Sequence, residues 1–188
     1  MSDPDSADDG NASGDASADA PENDGQQFDR LPATAAERVV PGRPTREEVI
    51  AWWEQRYGVP PATWDGHTFW EKGSGKIWAF AADVVSPIAV EGLGLRILRA
   101  RQEHWKPSTN AVQRFCGDAT KNVVVLDADE AAAFARGEDQ ELPRWDGDWG
   151  YVVAAHELAG DVEPIGVGLY LHGELRSTVP KGRREDLG

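Results

Sequence analysis

Pro164-Ile-Gly-Val-Gly-Leu-Tyr-Leu-His-Gly-Glu-Leu-Arg-Ser-Thr-Val-Pro-Lys-Gly-Arg-Arg184 is the stretch that decides the reading of this chain. Its first half is apolar, with glycines at Gly166 and Gly168, and reads as a strand over Ile165–Leu171. His172-Gly173 reads as a turn into a second strand, Glu174–Val179. Lys181, Arg183 and Arg184 then form a basic ending. Upstream, Tyr151–Ala155 reads as a third strand, entered from the turn residues of Asp146-Gly and Asp148-Trp-Gly. Asn122–Leu126 is a short apolar run of strand character. Asp127 with Glu130 is an N-cap signal for a small helix that Gly137 ends. Short strands, glycine turns and one small helix predict a β-barrel or half-barrel over residues 119–184.

The first half reads differently. Thr45 and Glu48 fit a capping box, and Val49, Ile50, Trp52, Trp53 and Tyr57 follow at helical spacing up to Gly58. Two aromatic strands, around His67–Glu71 and Lys76–Ala82, flank the tight turn Lys72-Gly-Ser-Gly75. Residues 88–102 read as one or two strands interrupted by Gly92 and Gly94. Pro107-Ser-Thr109 opens a helix that runs through Phe115. A small α/β unit is expected over residues 43–118. Residues 1–42 are rich in Asp, Ser, Ala, Gly and Asn, too polar to offset their chain entropy, and are expected to form a disordered acidic tail.

Bulk properties exclude several classes. The 188 residues contain a single cysteine, Cys116, so no internal disulfide and no cysteine-only metal site can form. His67, His104, His156 and His172 lack ligand spacing, and no metal or cofactor is expected. No apolar run has the ~18 residues of a membrane span, and no signal-peptide pattern opens the chain, so a cytoplasmic protein without membrane contact is expected. Gly73-Ser-Gly75-Lys76 lacks the spacing of a phosphate loop and joins two strands. Gly166 and Gly168 lie inside a strand and open no helix, so they form no dinucleotide fingerprint.

Net charge is −14, against the usual basic balance of nucleic-acid binders. The distribution is uneven. Residues 92–121 hold Arg96, Arg99, Arg101, Lys106, Arg114 and Lys121 against Glu103 and Asp118, a balance of +4. Residues 173–184 hold Arg176, Lys181, Arg183 and Arg184 against Glu174, a balance of +3. Cations on such islands hold phosphates, lysine as a point charge and arginine as a fork. His104 and Trp105 add ring surface on which bases stack. On a regular strand Arg99 and Arg101 share a face and Arg96 falls opposite. Most of the tryptophans, Trp52, Trp53, Trp64, Trp70 and Trp78 among them, read as core, whereas Trp145 and Trp149 flank a turn and are contact candidates if exposed. The acidic excess is also the composition of a protein that stays soluble at high salt, which suggests a halophilic source.

Taken in order, these segments resemble a known arrangement. Gly92-Leu-Gly-Leu-Arg-Ile-Leu-Arg99 and Trp105-Lys-Pro-Ser-Thr-Asn-Ala-Val112 are similar to the unit that precedes a PUA domain in a family of large-subunit ribosome-biogenesis factors. Asn122–Leu126, Phe134-Ala-Arg-Gly-Glu-Asp139, Gly150–Ala155, Pro164–Leu169 and Pro180-Lys-Gly-Arg-Arg184 resemble the PUA-like barrel there and at the C-terminus of Sun-family rRNA cytosine-5 methyltransferases. The methyltransferase domain of that second family has no counterpart here, and Cys116 sits in Phe-Cys-Gly-Asp rather than after a proline. The resemblance therefore implies an α+β protein: a pre-PUA-like α/β unit, then a PUA-like β-barrel. It implies a non-catalytic RNA-binding protein acting in rRNA or tRNA modification or ribosome biogenesis, with no enzyme activity and no cofactor. The RNA-binding residues it implies are Arg96, Arg99, Arg101, His104, Lys106, Lys121, Arg176, Lys181, Arg183 and Arg184. Expected partners are rRNA or tRNA, and with them an RNA methyltransferase or pre-ribosomal proteins. The alternative is a protein–protein interaction module, or an accessory subunit of a separate RNA methyltransferase, without direct RNA contact. Clustering of His104, Cys116 and an acid in one pocket would instead point to an enzyme.

Overall fold

Local signals in the sequence set the helix starts. Thr45 Oγ1 accepts from the Glu48 amide at 3.1 Å and Glu48 Oε2 accepts from the Thr45 amide at 3.0 Å, so the capping box opens helix α1, Arg46–Tyr57. Gly58, left-handed at φ 66°, ends it. Asp127 and Glu130 form the same reciprocal pair at 2.9 Å each and open a second capped helix. A computed structural model describes residues 26–101 and 103–184, except the side chains of Arg183 and Arg184.

The protein is α+β, with two five-stranded sheets. The first sheet is an antiparallel run in chain order: β1 Asp29–Arg30, β2 Thr68–Glu71, β3 Lys76–Phe80, β4 Leu95–Arg99 and β5 Lys106–Pro107. Helix α2, Thr109–Phe115, follows with Ser108 as its N-cap. The second sheet is built from β6 Val123–Leu126, β7 Gln140–Glu141, β8 Gly150–Leu158, β9 Asp161–Leu171 and β10 Glu174–Ser177. Its order is β6-β8-β9-β10-β7, with β6 parallel to β8 and every other pair antiparallel. Helix α3, Ala128–Arg136, connects β6 to β7, and α4, Lys181–Arg184, ends the described chain. β6 and β7 stay as open edges, so this sheet is a curled half-barrel rather than a closed barrel.

One core joins the sheets. Trp53, Tyr57, Trp64, Phe69, Ile77 and Ile97 of the first half pack in the same buried cluster as Val153 and Val167 of the second. Val49, Trp53 and Tyr57 recur every fourth residue and form the buried stripe of α1. Ala111 and Val112 of α2 are fully buried between the sheets. The glycine pattern of β9 has a packing cause: a Cβ on Gly166 would stand 3.0 Å from the Phe134 ring, and one on Gly168 2.5 Å from Leu175.

Four expectations are changed or narrowed. First, residues 26–42 are not all tail. Phe28 and Leu31 are buried, β1 pairs with β2, and a 3-10 turn spans Ala35–Glu37. Two apolar side chains in a polar stretch are enough because they plug hydrophobic surface supplied by Trp70, Leu93 and Phe69. Residues 1–25 of the expected tail lie outside the described residues. Second, of the one or two strands expected over residues 88–102, the described residues hold one, β4. The chain before it is a covering loop tied down by the bridge of Phe28 to Ile88. Third, β8 and β9 outrun their apolar centres as a long hairpin, turned at Ala159 and Gly160 with φ 55° and 98°. Backbone pairing extends it through exposed Glu157, Asp161 and Glu163, where no apolar pattern signals a strand. Fourth, of the barrel or half-barrel expected, the second sheet forms the half-barrel, because β6 and β7 do not pair. Among the described residues no helix is long and apolar enough to cross a membrane.

The hydrogen bond from Arg144 holds the Glu130 carboxyl below the usual carboxylate value; burial opposes this and the Asp127 amide assists it. A folded-state value below the unfolded one of 4.5 means this contribution is full above that pH and is lost as pH falls through the folded value. Urea midpoints measured from pH 6 down to pH 3 are expected to fall in that window, and Glu130→Gln is expected to flatten the fall.

Candidate nucleic-acid interface

The interface is set by a defect in a strand pair. β3 and β4 run in register as Lys76 with Arg99 and Ile77 with Leu98, but Trp78 then faces Arg96, so Ile97 is an extra residue. That bulge reverses the alternation between 96 and 99. Ile97 and Leu98 are both buried, while Arg96 and Arg99 are both exposed on the face of Trp78 and Lys76. The expected split of Arg96 from Arg99 is thereby corrected: they share a face, and Arg101 lies beyond the strand end.

β5 continues the pattern, because Lys106 stands directly opposite Arg99. Lys76, Arg99 and Lys106 thus form a row of three cations across three neighbouring strands, about 5 Å apart per strand. Directly opposed like charges cost stability. Among the described residues none of the three, nor Arg96, forms an ion pair. Burial and the Arg99 charge together pull the Lys106 ammonium below its usual value. Lys76 was not singled out from the sequence, since only the strand register reveals it.

A groove of about 240 Å³ opens at the Arg99–Lys106 end of this row, lined by Arg96, Arg99 and Lys106, by Ser108 and Thr109 at the start of α2, and by Thr178 and Pro180. Thr178 Oγ1 donates to Val167 O at 2.6 Å, which fixes the chain after β10 against β9 within the second sheet. Lys181, exposed, follows Pro180 directly at the start of α4. Residues of β4, β5 and α2 therefore meet Thr178 and Pro180 here, while the cations of the second basic island stay outside the groove lining.

The other candidates are scattered. Arg101 lines a separate hollow with Arg43 and Glu71. Arg176 pairs with Glu174 at 2.7 Å on another face. Lys121 is exposed at the loop where its amide meets Tyr57 O at 3.1 Å, outside both grooves. The backbones of Arg183 and Arg184 are on α4, and their side chains lie outside the described residues. His104 is exposed in a neighbouring cleft with Trp52, Trp105, Trp149 and Tyr151. Trp52 is half-buried rather than fully core, and Trp149 is 59% exposed.

His104 and Cys116 do not meet. Cys116 is in the core, and burial pushes its thiol up to about 12, so at neutral pH it is a protonated packing residue. Among the described residues no group of three or more His, Cys, Asp or Glu could hold a metal ion.

Entry into β4 depends on Gly94. Its φ is +62°, and a Cβ there would lie 2.1 Å from Ala79 O. Gly94→Ala is expected to cost about 2–3 kcal/mol, from strain plus the forced shift of β3 against β4, read as a lowered urea midpoint.

Residues 15–94 match a family of unknown function, DUF7122. The match ends just before β4 and covers neither the cations of β4 and β5 nor the second sheet. No curated protein matches the chain.

Proposed function

We propose that this protein is a non-catalytic RNA-binding protein acting in rRNA or tRNA modification or ribosome biogenesis, as the PUA-like resemblance implies. The observation that carries the RNA reading is the row of Lys76, Arg99 and Lys106. Arg99 and Lys106 stand with Arg96 in one groove whose lining ends at Pro180, next to Lys181, and Lys76 flanks Arg99 outside that lining. Four adjacent cations without carboxylate partners, on a chain of net charge −14, are a built site for a polyanion. Ser108, Thr109 and Thr178 line the groove between the charges. Ser108 and Thr178 already give their hydroxyl protons to Arg96 O and Val167 O, so the hydroxyl that supports the reading by donating to a phosphate oxygen is that of Thr109. The arrangement offers binding and positioning.

The module reading without RNA contact draws less support. The exposed apolar side chains of the described residues are scattered. Leu158 and Val162 sit on the same hairpin, but opposite Asp161 and Glu157 respectively, which places them on opposite faces. Single exposed apolar residues of this kind are ordinary surface.

Electrostatics sets the test. On unpaired RNA each phosphate contact adds roughly 0.7 to the slope of log K against log salt. Removing Arg96, Arg99 and Lys181 together as alanines is expected to lower that slope by roughly 2 and to weaken binding at low salt. Fluorescence anisotropy of labelled RNA over a salt series reads both. An unchanged slope in the triple variant would sink the groove as the RNA surface.

A further inference from the structure

A second cleft opens beside the cation row. It holds about 270 Å³ and is lined by Trp52, Trp105, Tyr151 and Trp149, with Glu103 and His104 also on its wall. The volume falls just short of the ~300–1,000 Å³ filled by drug-sized ligands and suits one planar ring system. Trp52 and Trp105 stand 5.9 Å apart, tilted by 41°, and form the inner wall. Tyr151 is half-buried, whereas Trp149 keeps 59% of its surface in water.

This wall is held rigid. Arg56 Nη2 donates to Trp149 O at 2.9 Å and to Tyr151 O at 2.8 Å, and Arg56 Nε donates to Tyr151 O at 3.1 Å. The Trp149 ring rests edge-on against His172 at 4.6 Å. Arg56 therefore spends its fork on the protein and braces the cleft rather than a ligand. Packing does not require a tryptophan at 149, since the side chain covers little and is mostly solvated.

The cleft and the row are continuous. Lys106 Nζ lies 5.4 Å from the centre of the Tyr151 ring, so the last cation of the row touches the first ring of the cleft. A backbone held at Arg99 and Lys106 would deliver its next base to Tyr151, Trp105 and Trp149. A base in a duplex is stacked on both faces and paired along its edge, so it cannot enter. An unpaired base can be splayed out and stacked on aromatic rings. Glu103 and His104 offer an acceptor and a ring nitrogen for the edge of that base.

We propose that this cleft takes one unpaired nucleobase, and that the RNA this protein recognises is single-stranded or bulged at the site. The inference rests on the RNA-binding reading and adds the class of RNA to it. The occupant is a nucleotide rather than a protein side chain because the neighbouring charge is a line of cations, complementary to phosphates.

The test compares three probes of equal length with the full chain: a single-stranded uridine RNA, the same strand annealed to its complement, and an abasic ribose-phosphate strand. Anisotropy and tryptophan quenching are followed together. The single strand is expected to bind roughly tenfold tighter than the abasic strand, and tighter than the duplex, with quenching by the single strand alone. Trp149→Ala with His104→Ala is expected to remove that roughly tenfold advantage while leaving the salt slope and the abasic affinity unchanged. Both side chains are exposed, so the variant keeps its fold, which a thermal melt verifies. Equal affinity for the single and abasic strands, a preference for duplex, or no effect of the double variant overturns the cleft assignment and leaves RNA binding standing. No binding of any probe at low salt overturns the RNA reading and this inference with it.

Discussion

Helix α2 seated between β4 and β9 is the constraint on which the molecule depends. Ala111 and Val112 are fully buried there, and Gln113 Nε2 donates to Ile165 O at 3.1 Å on the β9 side. The approach is close because position 166 has no side chain: a Cβ would meet Phe134 from one direction and Thr109 from another. The two sheets are thereby locked into one core instead of flexing about a linker. The lock also fixes the functional surface, since α2 begins at the end of the cation row and β9 carries the Thr178 anchor.

Among the described residues seven arginines pair with carboxylates, whereas Arg46, Lys72, Arg101, Arg114, Lys121 and Lys181, like the groove cations, form no such pair, and what sets the row apart is its direct opposition across strands. Arg43 sits between Asp29 and Glu71, Arg38 pairs with Glu48, Arg144 with Glu130 and Arg136 with Glu138. Acidic residues outnumber basic ones by 33 to 19, so a partner is easily found for a cation. Lys76, Arg96, Arg99 and Lys106 have none among the described ion pairs, and three of them repel each other across adjacent strands. Local rules broken in one place mark a site where something else supplies the compensation. Under the proposed function a polyanion supplies it.

Much of the architecture was legible because it is local. The Thr45–Glu48 and Asp127–Glu130 boxes, the left-handed Gly58 and Gly137 and the Ser108 cap are each written within a few residues, and each formed where the sequence placed it. What escaped was set by partners distant in sequence. The buried role of Phe28 and Leu31 requires a sheet to plug. The Ala159-Gly160 turn requires backbone pairing that no apolar alternation announces. Lys76 is an ordinary strand residue until the register sets it opposite Arg99.

The sequence by itself determined the helix starts and stops, the longer strands and the two basic islands, because each depends on residues within a turn or two of one another, whereas the two-residue strands β1, β5 and β7 depend on pairing with distant partners. Only the tertiary structure decided which cations act together. A one-residue bulge at Ile97 turned Arg96 to the side of Arg99, strand pairing added Lys76 and Lys106, and packing left Arg101, Lys121 and Arg176 elsewhere. The aromatic cleft was decided in the same way. Trp52, Trp105 and Trp149 lie on three separate segments, and whether a tryptophan fills a core or lines a cleft depends on what the rest of the chain packs against it.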